Sequence, residues 1–258
     1  MDRSQVVSEL REKILDEHAR LHHPLIKAIL AGEIDRTQLA GFAREFWVIP
    51  HTHLINNGGK LAHGQLMRGS WLQQLLTSRY DQELVHLLGE SLADELGKTE
   101  ISPINHYDCY FDFTDELGIP REEIGNPLTL SPMSLVTMHT WASSALSFSL
   151  LELLGSHNLV NDTASVVALP KFCKALREHY HLSEKAITWF NLHGEVDVEH
   201  GSRAGEIIIS LMKNEEDEHL LRIAVQFGLG VLWTLFDGIM DTYVTGAYPR
   251  KTAAARAS

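Results

Sequence analysis

Cysteine, basic charge and uninterrupted apolar runs are all scarce in this chain, and each scarcity removes a class of protein. Only Cys109 and Cys173 occur among 258 residues, without CxxC spacing, so neither a disulfide framework nor a thiolate zinc site is expected. A reducing, cytoplasmic setting fits that usage. Against 34 Asp and Glu stand 22 Lys and Arg, a formal charge of -12, which argues against the clustered cations of a nucleic-acid binder. The most apolar stretches, WASSALSFSLLELLG and IAVQFGLGVLWTLFDGIM, are interrupted by Ser, Glu, Gln or Asp and read as buried helices, with no membrane partner expected. The opening MDRSQVVSELREK lacks the apolar core of a signal peptide. Runs of alternating, β-branched residues are also missing.

What is present is helical periodicity. Apolar residues make up 44% of the chain and charged residues 22%, ordinary values for a globular protein, and they recur three and four apart along almost the whole length. The expected class is all-α, a single bundle of seven to eight helices spanning 1–245, followed by a small-residue, basic, flexible tail over 246–258. A first helix is expected over Ser4 to Leu30, stopped by Gly32, and a second from Asp35 with Gln38 completing a capping box. Pro50 should kink that second helix. A third ends at Gly97, and a fourth starts with Ser102 as cap and Pro103 at its first position. After the loop IPREEIGNPLTLSP, helices are expected from about Pro132 to Leu154, Ala164 to Glu178, Ser183 to Met212 and Glu215 to Tyr243.

The stretch NLHGEVDVEH lies inside one of these helices and carries an unusual register. At 3.6 residues per turn, His193, Asp197 and His200 fall at roughly 0°, 40° and -20°, one narrow stripe, whereas Glu195 and Glu199 lie at roughly 200° and 240°. Ile187, Phe190, Ala204, Ile207 and Ile208 continue or border the stripe, so the three ionisable groups belong to the buried face. Three such groups without partners are costly to bury. Two imidazoles and a carboxylate suit iron, manganese or zinc, and the spacing alone leaves metal ligation and a buried hydrogen-bond network both open.

Partner carboxylates are available elsewhere. Glu152 interrupts the apolar and small ALSFSLLELLG, where an unpaired carboxylate is expensive, although a residue near a helix end is the plainer explanation. Glu95 ends GESLADELG and is followed by His106 in INHYDCYFDF; here Glu90, Asp94, Glu95 and Glu100 equally read as a surface cluster. Together Glu95, His106, Glu152, His193, Asp197 and His200 supply three carboxylates and three imidazoles from four helices. Bridging carboxylates of that number can balance much of the charge of two divalent irons and leave positions open for dioxygen.

With these residues the chain resembles the haem-oxygenase-like diiron oxidases and oxygenases, relatives of thiaminase II and pyrroloquinoline-quinone synthase. HGEVDVEH matches that group's H-x3-D-x2-H element, Glu152 its mid-chain carboxylate, and DELG followed by NHY its first pair, whose longer interval here leaves Glu100 as an alternative to Glu95. The resemblance implies a haem-oxygenase-like fold, two Fe(II) ions with dioxygen as co-substrate, and those six residues as ligands. It also implies a peroxo-diiron(III) intermediate acting on an amino-acid-like or fatty-acid-like metabolite, by C–C cleavage, desaturation or N-oxygenation. A homodimer and an external electron donor are compatible with it. Its metal-free relatives offer the alternative of a thiaminase II-like or quinone-synthase-like enzyme.

Candidate substrate contacts follow from position. Trp47 and His51 in FWVIPHTHLINN, with Phe46, His53 and Asn56 nearby, and Tyr107 beside His106 are the residues that could line a pocket, although each type more often serves as core or surface.

Overall fold

Residues placed three and four apart are buried along ten helices, and among the described residues no strand occurs. The computed structural model describes residues 2–52, 89, 92–100 and 103–247, apart from the side chains of 195–200. The helices are α1 (Arg3–Glu17), α2 (Ala19–His22), α3 (Pro24–Ala31), α4 (Arg36–Phe46), α5 (His106–Glu116), α6 (Pro132–Ser147), α7 (Leu150–Leu153), α8 (Val160–Glu178), α9 (Thr188–Leu211) and α10 (Glu215–Tyr243). A π-helical turn, Leu154–Leu159, joins α7 to α8. The last helix coincides with its expected bounds, and Asn214 closes a capping box with Asp217 at its start. It is long and apolar enough to cross a membrane, but Leu221, Val225, Leu229, Leu232, Phe236 and Ile239 are buried in the bundle core.

The first expected helix is instead three. At His18 and His23 the backbone turns extended, and each imidazole Nδ1 accepts from the N–H two residues on, Arg20 and Leu25, both at 3.0 Å. Histidine thus performs the capping role usually taken by Ser or Asp. Pro24 reinforces the second break, because a residue preceding proline is pushed out of the helical region.

Three other boundaries moved for identifiable reasons. The second helix begins with the expected Asp35/Gln38 capping box, but its interruption falls at Trp47, ahead of Pro50. Proline lacks an N–H and its ring collides with the carbonyl four residues earlier, here Phe46, where α4 ends; helical structure resumes over 48–52. The fourth expected helix starts at His106, capped by Asn105, whose side chain accepts from Tyr107 N–H at 2.9 Å. Ser102 lies outside the described residues. Finally, the helix from Pro132 stops at Phe148 and a new one starts at once, capped by Ser149. From Leu150 it runs without a break through the π turn to Glu178, replacing the expected gap before Ala164.

Two glycines let backbones meet. Gly97 takes φ +67° and turns the chain out of the helical turn at 92–95. A Cβ on Gly228 would come within 2.2 Å of the Ser156 carbonyl oxygen, so α10 crosses the π turn at backbone contact. Of the expected tail, 248–258 lies outside the described residues.

Candidate metal centre

α9 carries the stripe, and His193 on it is 6% exposed. Its Nδ1 lies 2.8 Å from the Trp189 carbonyl oxygen one turn back. A carbonyl only accepts, so Nδ1 holds the ring proton and Nε2 keeps a lone pair. That lone pair faces Glu95, with Nε2 4.0 Å from Oε1.

Glu95 closes the helical turn that Gly97 terminates, and His106 opens α5, so a short connection brings them together. His106 Nδ1 donates to Glu95 Oε2 at 2.9 Å, with both side chains buried. The imidazoles of His106 and His193 meet edge to face, 4.6 Å between centroids. One ligand atom from each of Glu95, His106 and His193 lies within 4.8 Å of the other two. Two imidazoles and one carboxylate converging on one point is the donor set of a non-haem iron centre, and the residues fit such an ion.

The alternative first carboxylate, Glu100, is exposed; the structure sets Glu95 beside His106. Asp197 and His200 share the α9 helix with His193, and their side chains lie outside the described set. Glu152 is not part of the three-residue cluster. It is half-buried, and its Oε2 accepts from Ser149 N–H at 2.8 Å while its own N–H donates to Ser149 Oγ at 3.3 Å. Ser149 and Glu152 form a capping box, a signature already visible as Ser-x-x-Glu.

A carboxylate outside the sequence-derived set packs against α9 beside the stripe. Asp162 on α8 is 3% exposed, and its Cβ lies 3.3 Å from where a Cβ on Gly201 would sit; Leu169, two turns on, faces Gly194 in the same way. Gly194 and Gly201 fall at roughly 100° and 80° in the α9 frame, directly beside the ligand stripe. α8 and α9 are therefore antiparallel, with Asp162 at the level of His200. Asn158 donates to Asp162 Oδ2 at 3.3 Å. The signal was a charge in VNDTASVV, a stretch otherwise made of small and apolar residues.

Aromatic rings lie on one side of the cluster. The Trp189 ring lies 4.1 Å from His193 and 5.5 Å from Tyr110. Trp47 is buried against Tyr107 and Phe111, 5.7 and 5.3 Å between centroids. Tyr107 donates its hydroxyl to the Pro50 carbonyl at 3.1 Å, and burial, then the Glu95 charge, raises its pKa beyond the usual phenol range. It stays neutral. His51 follows Trp47 by one turn and is half-buried, which lowers its pKa. His53 and Asn56 lie outside the described residues.

Comparison with known proteins places the chain in an iron-containing family. Residues 59–232 match the haem-oxygenase-like family described as iron-containing redox enzymes, and the chain belongs to that family. Among its relatives is a protein of Chlamydia pneumoniae named 4-aminobenzoate synthase, 20% identical over 244 residues, covering 91% of this chain and 95% of that protein. A TenA homologue from Pseudomonas syringae superposes with a TM-score of 0.71 at 14% identity, covering 93% of this chain and 91% of its own. A domain of unknown function with a haem-oxygenase-like fold from Shewanella denitrificans gives 0.67 at 16% identity, with 95% and 93% covered. The fold is haem-oxygenase-like.

Proposed function

We propose that the protein is a non-haem diiron oxidase or oxygenase that uses dioxygen to oxidise a small organic metabolite. The observation that carries this reading is the convergence of Glu95, His106 and His193, from three separated segments, into one buried two-imidazole, one-carboxylate set. Asp197 and His200, one and two turns along α9, extend the set to a second ion. Its carboxylate from the neighbouring helix is Asp162, in the place first given to Glu152. Bound iron would supply the electrons that reduce dioxygen.

The chain's own residues prepare that chemistry. The Trp189 carbonyl holds the His193 tautomer whose Nε2 can ligate. Glu95 and His106 share a proton that a cation would displace, which couples metal uptake to proton release. Trp47, Tyr110 and Trp189 keep bulk water from the cluster, as a site that handles reactive oxygen requires. A cytoplasmic location completes the proposal, since Cys109 and Cys173 are free and buried.

Anaerobic loading tests this reading. About two Fe(II) per chain should be retained after desalting, and admitting oxygen should consume it and give a transient visible absorption. His193→Ala should lose both. A protein that takes up no iron and whose activity ignores chelators would be the metal-free, thiaminase II-like alternative.

A further inference from the structure

α9 is gripped from two sides one residue past His200. The sequence repeats His-Gly at seven-residue spacing, as His193-Gly194 and His200-Gly201, and adds Gly205. At 3.6 residues per turn these glycines fall at roughly 80° to 120° from His193, a bare strip beside the ligand stripe. α8 packs on that strip through Leu169 at Gly194 and Asp162 at Gly201. α1 packs on it through Val7 and Arg11: a Cβ on Gly205 would come 2.6 Å from Arg11 Nη2 and 3.6 Å from Val7 Cγ1. With no side chain at 205 the guanidinium lies against the helix, and Nη2 donates to the Gly201 carbonyl oxygen at 2.7 Å.

A carbonyl inside a helix uses one lone pair on the N–H four residues on and offers the second to a side chain. Arg11 takes the second, from a segment 190 residues away in sequence, in a half-buried, charge-assisted bond. Val7 faces Gly205 and Arg11 faces Gly201, so α1 runs antiparallel to α9. Gly201 is thus held between Arg11 and Asp162, the carboxylate assigned to the second ion. The His193 end of the stripe is fixed by other means, the Trp189 carbonyl at 2.8 Å and the Trp189 ring. The two ends have separate supports.

We propose that Arg11 is a positioning residue for the second ion: it clamps the α9 turn that carries Asp197 and His200 against Asp162, while the His193 turn keeps its place without it. The claim on the ion rests on the diiron reading; the clamp rests on geometry alone and is tested without iron. The sign of the effect separates position from charge. A cation near a metal site repels the metal, so neutralising Arg11 would by Coulomb's law alone tighten iron binding, whereas loss of a clamp loosens it.

Hydrogen exchange and iron retention test this together in the full chain. Metal-free Arg11→Met should exchange the amides of 197–208 about tenfold faster than the wild type, with 188–194 unchanged, as expected when one charge-assisted bond is lost locally. Loaded anaerobically and desalted, it should keep about one Fe(II) per chain where the wild type keeps about two, the second ion being held about tenfold or more weakly. Arg11→Lys, which returns a charged donor, should recover part of the loss. Gly205→Ala keeps the charge and favours the helix, but its methyl displaces the guanidinium from Gly201, and it should lose the second ion too. Unchanged exchange over 197–208 in Arg11→Met and Gly205→Ala would overturn the proposal, and so would tighter iron binding in Arg11→Met. Equal loss of both ions, with faster exchange along all of α9, would overturn it as well, making Arg11 a general support for the bundle. A wild type that takes up no iron, with 197–208 still loosened by Arg11→Met, would sink the diiron reading and leave the clamp standing.

Discussion

Glu95 and Glu152 are two glutamates in helical segments with apolar neighbours, and the bundle uses them in opposite ways. Glu95 sits at the end of a helical turn, buried, with His106 at 2.9 Å and His193 at 4.0 Å. Glu152 sits at the third position of a helix, half-buried, with its carboxylate bent back onto the Ser149 N–H. At a helix start four N–H groups lack internal partners and attract a carboxylate, whereas at a helix end the chain offers carbonyls and the carboxylate must look outward. Position along the helix decides which neighbours each carboxylate meets.

The sharpest test of this contrast removes charge from each side. Glu95→Gln should leave the fold intact and lower iron affinity by about 10–100-fold or more, read as metal retained after desalting. Asp162→Asn comes next: if the neighbouring helix supplies its carboxylate there, about half the iron should be lost, because the Glu95 set would keep its own ion. Loss of iron in Glu152→Gln, with Asp162→Asn unaffected, would reverse the assignment.

Acid stability probes a different pair of ends, the histidine caps. His18 is fully buried, and burial first, then the Arg20 charge, holds its pKa well below the ordinary histidine value. The unfolded chain therefore binds a proton that the folded one refuses, and stability present above about pH 6.5 is lost as pH falls below it. The loss should approach about 1.4 kcal/mol per pH unit for this one group. His18→Asn, which can still cap, should flatten the dependence of denaturant midpoint on pH between 7 and 5. The smallest expected effect returns to Glu152. Its replacement by Ala removes half of a capping box and should cost about 1 kcal/mol or less in chemical unfolding, with iron content unchanged.

Much of the fold was legible because local rules are strong where helices start and stop with dedicated residues. Asp35 with Gln38, Gly97 and the full span of α10 stand where the sequence pattern placed them. The breaks at His18 and His23 were hidden, since an imidazole caps only when burial and tautomer favour it. The break at Phe148 was legible in principle, since Ser149 and Glu152 spell the Ser-x-x-Glu of a helix start.

The candidate site divides along the same line. One helix suffices to align His193, Asp197 and His200, because a stripe is a property of 3.6 residues per turn, and the sequence by itself determined it. It also settled the all-α class, through periodicity alone. Which carboxylates meet that stripe depends on how helices cross and in what register, and those are outcomes of side-chain packing among segments far apart in the chain. Tertiary structure alone chose Glu95 over Glu100 for the partner of His106, turned Glu152 to its own helix, and carried Asp162 to the face of α9.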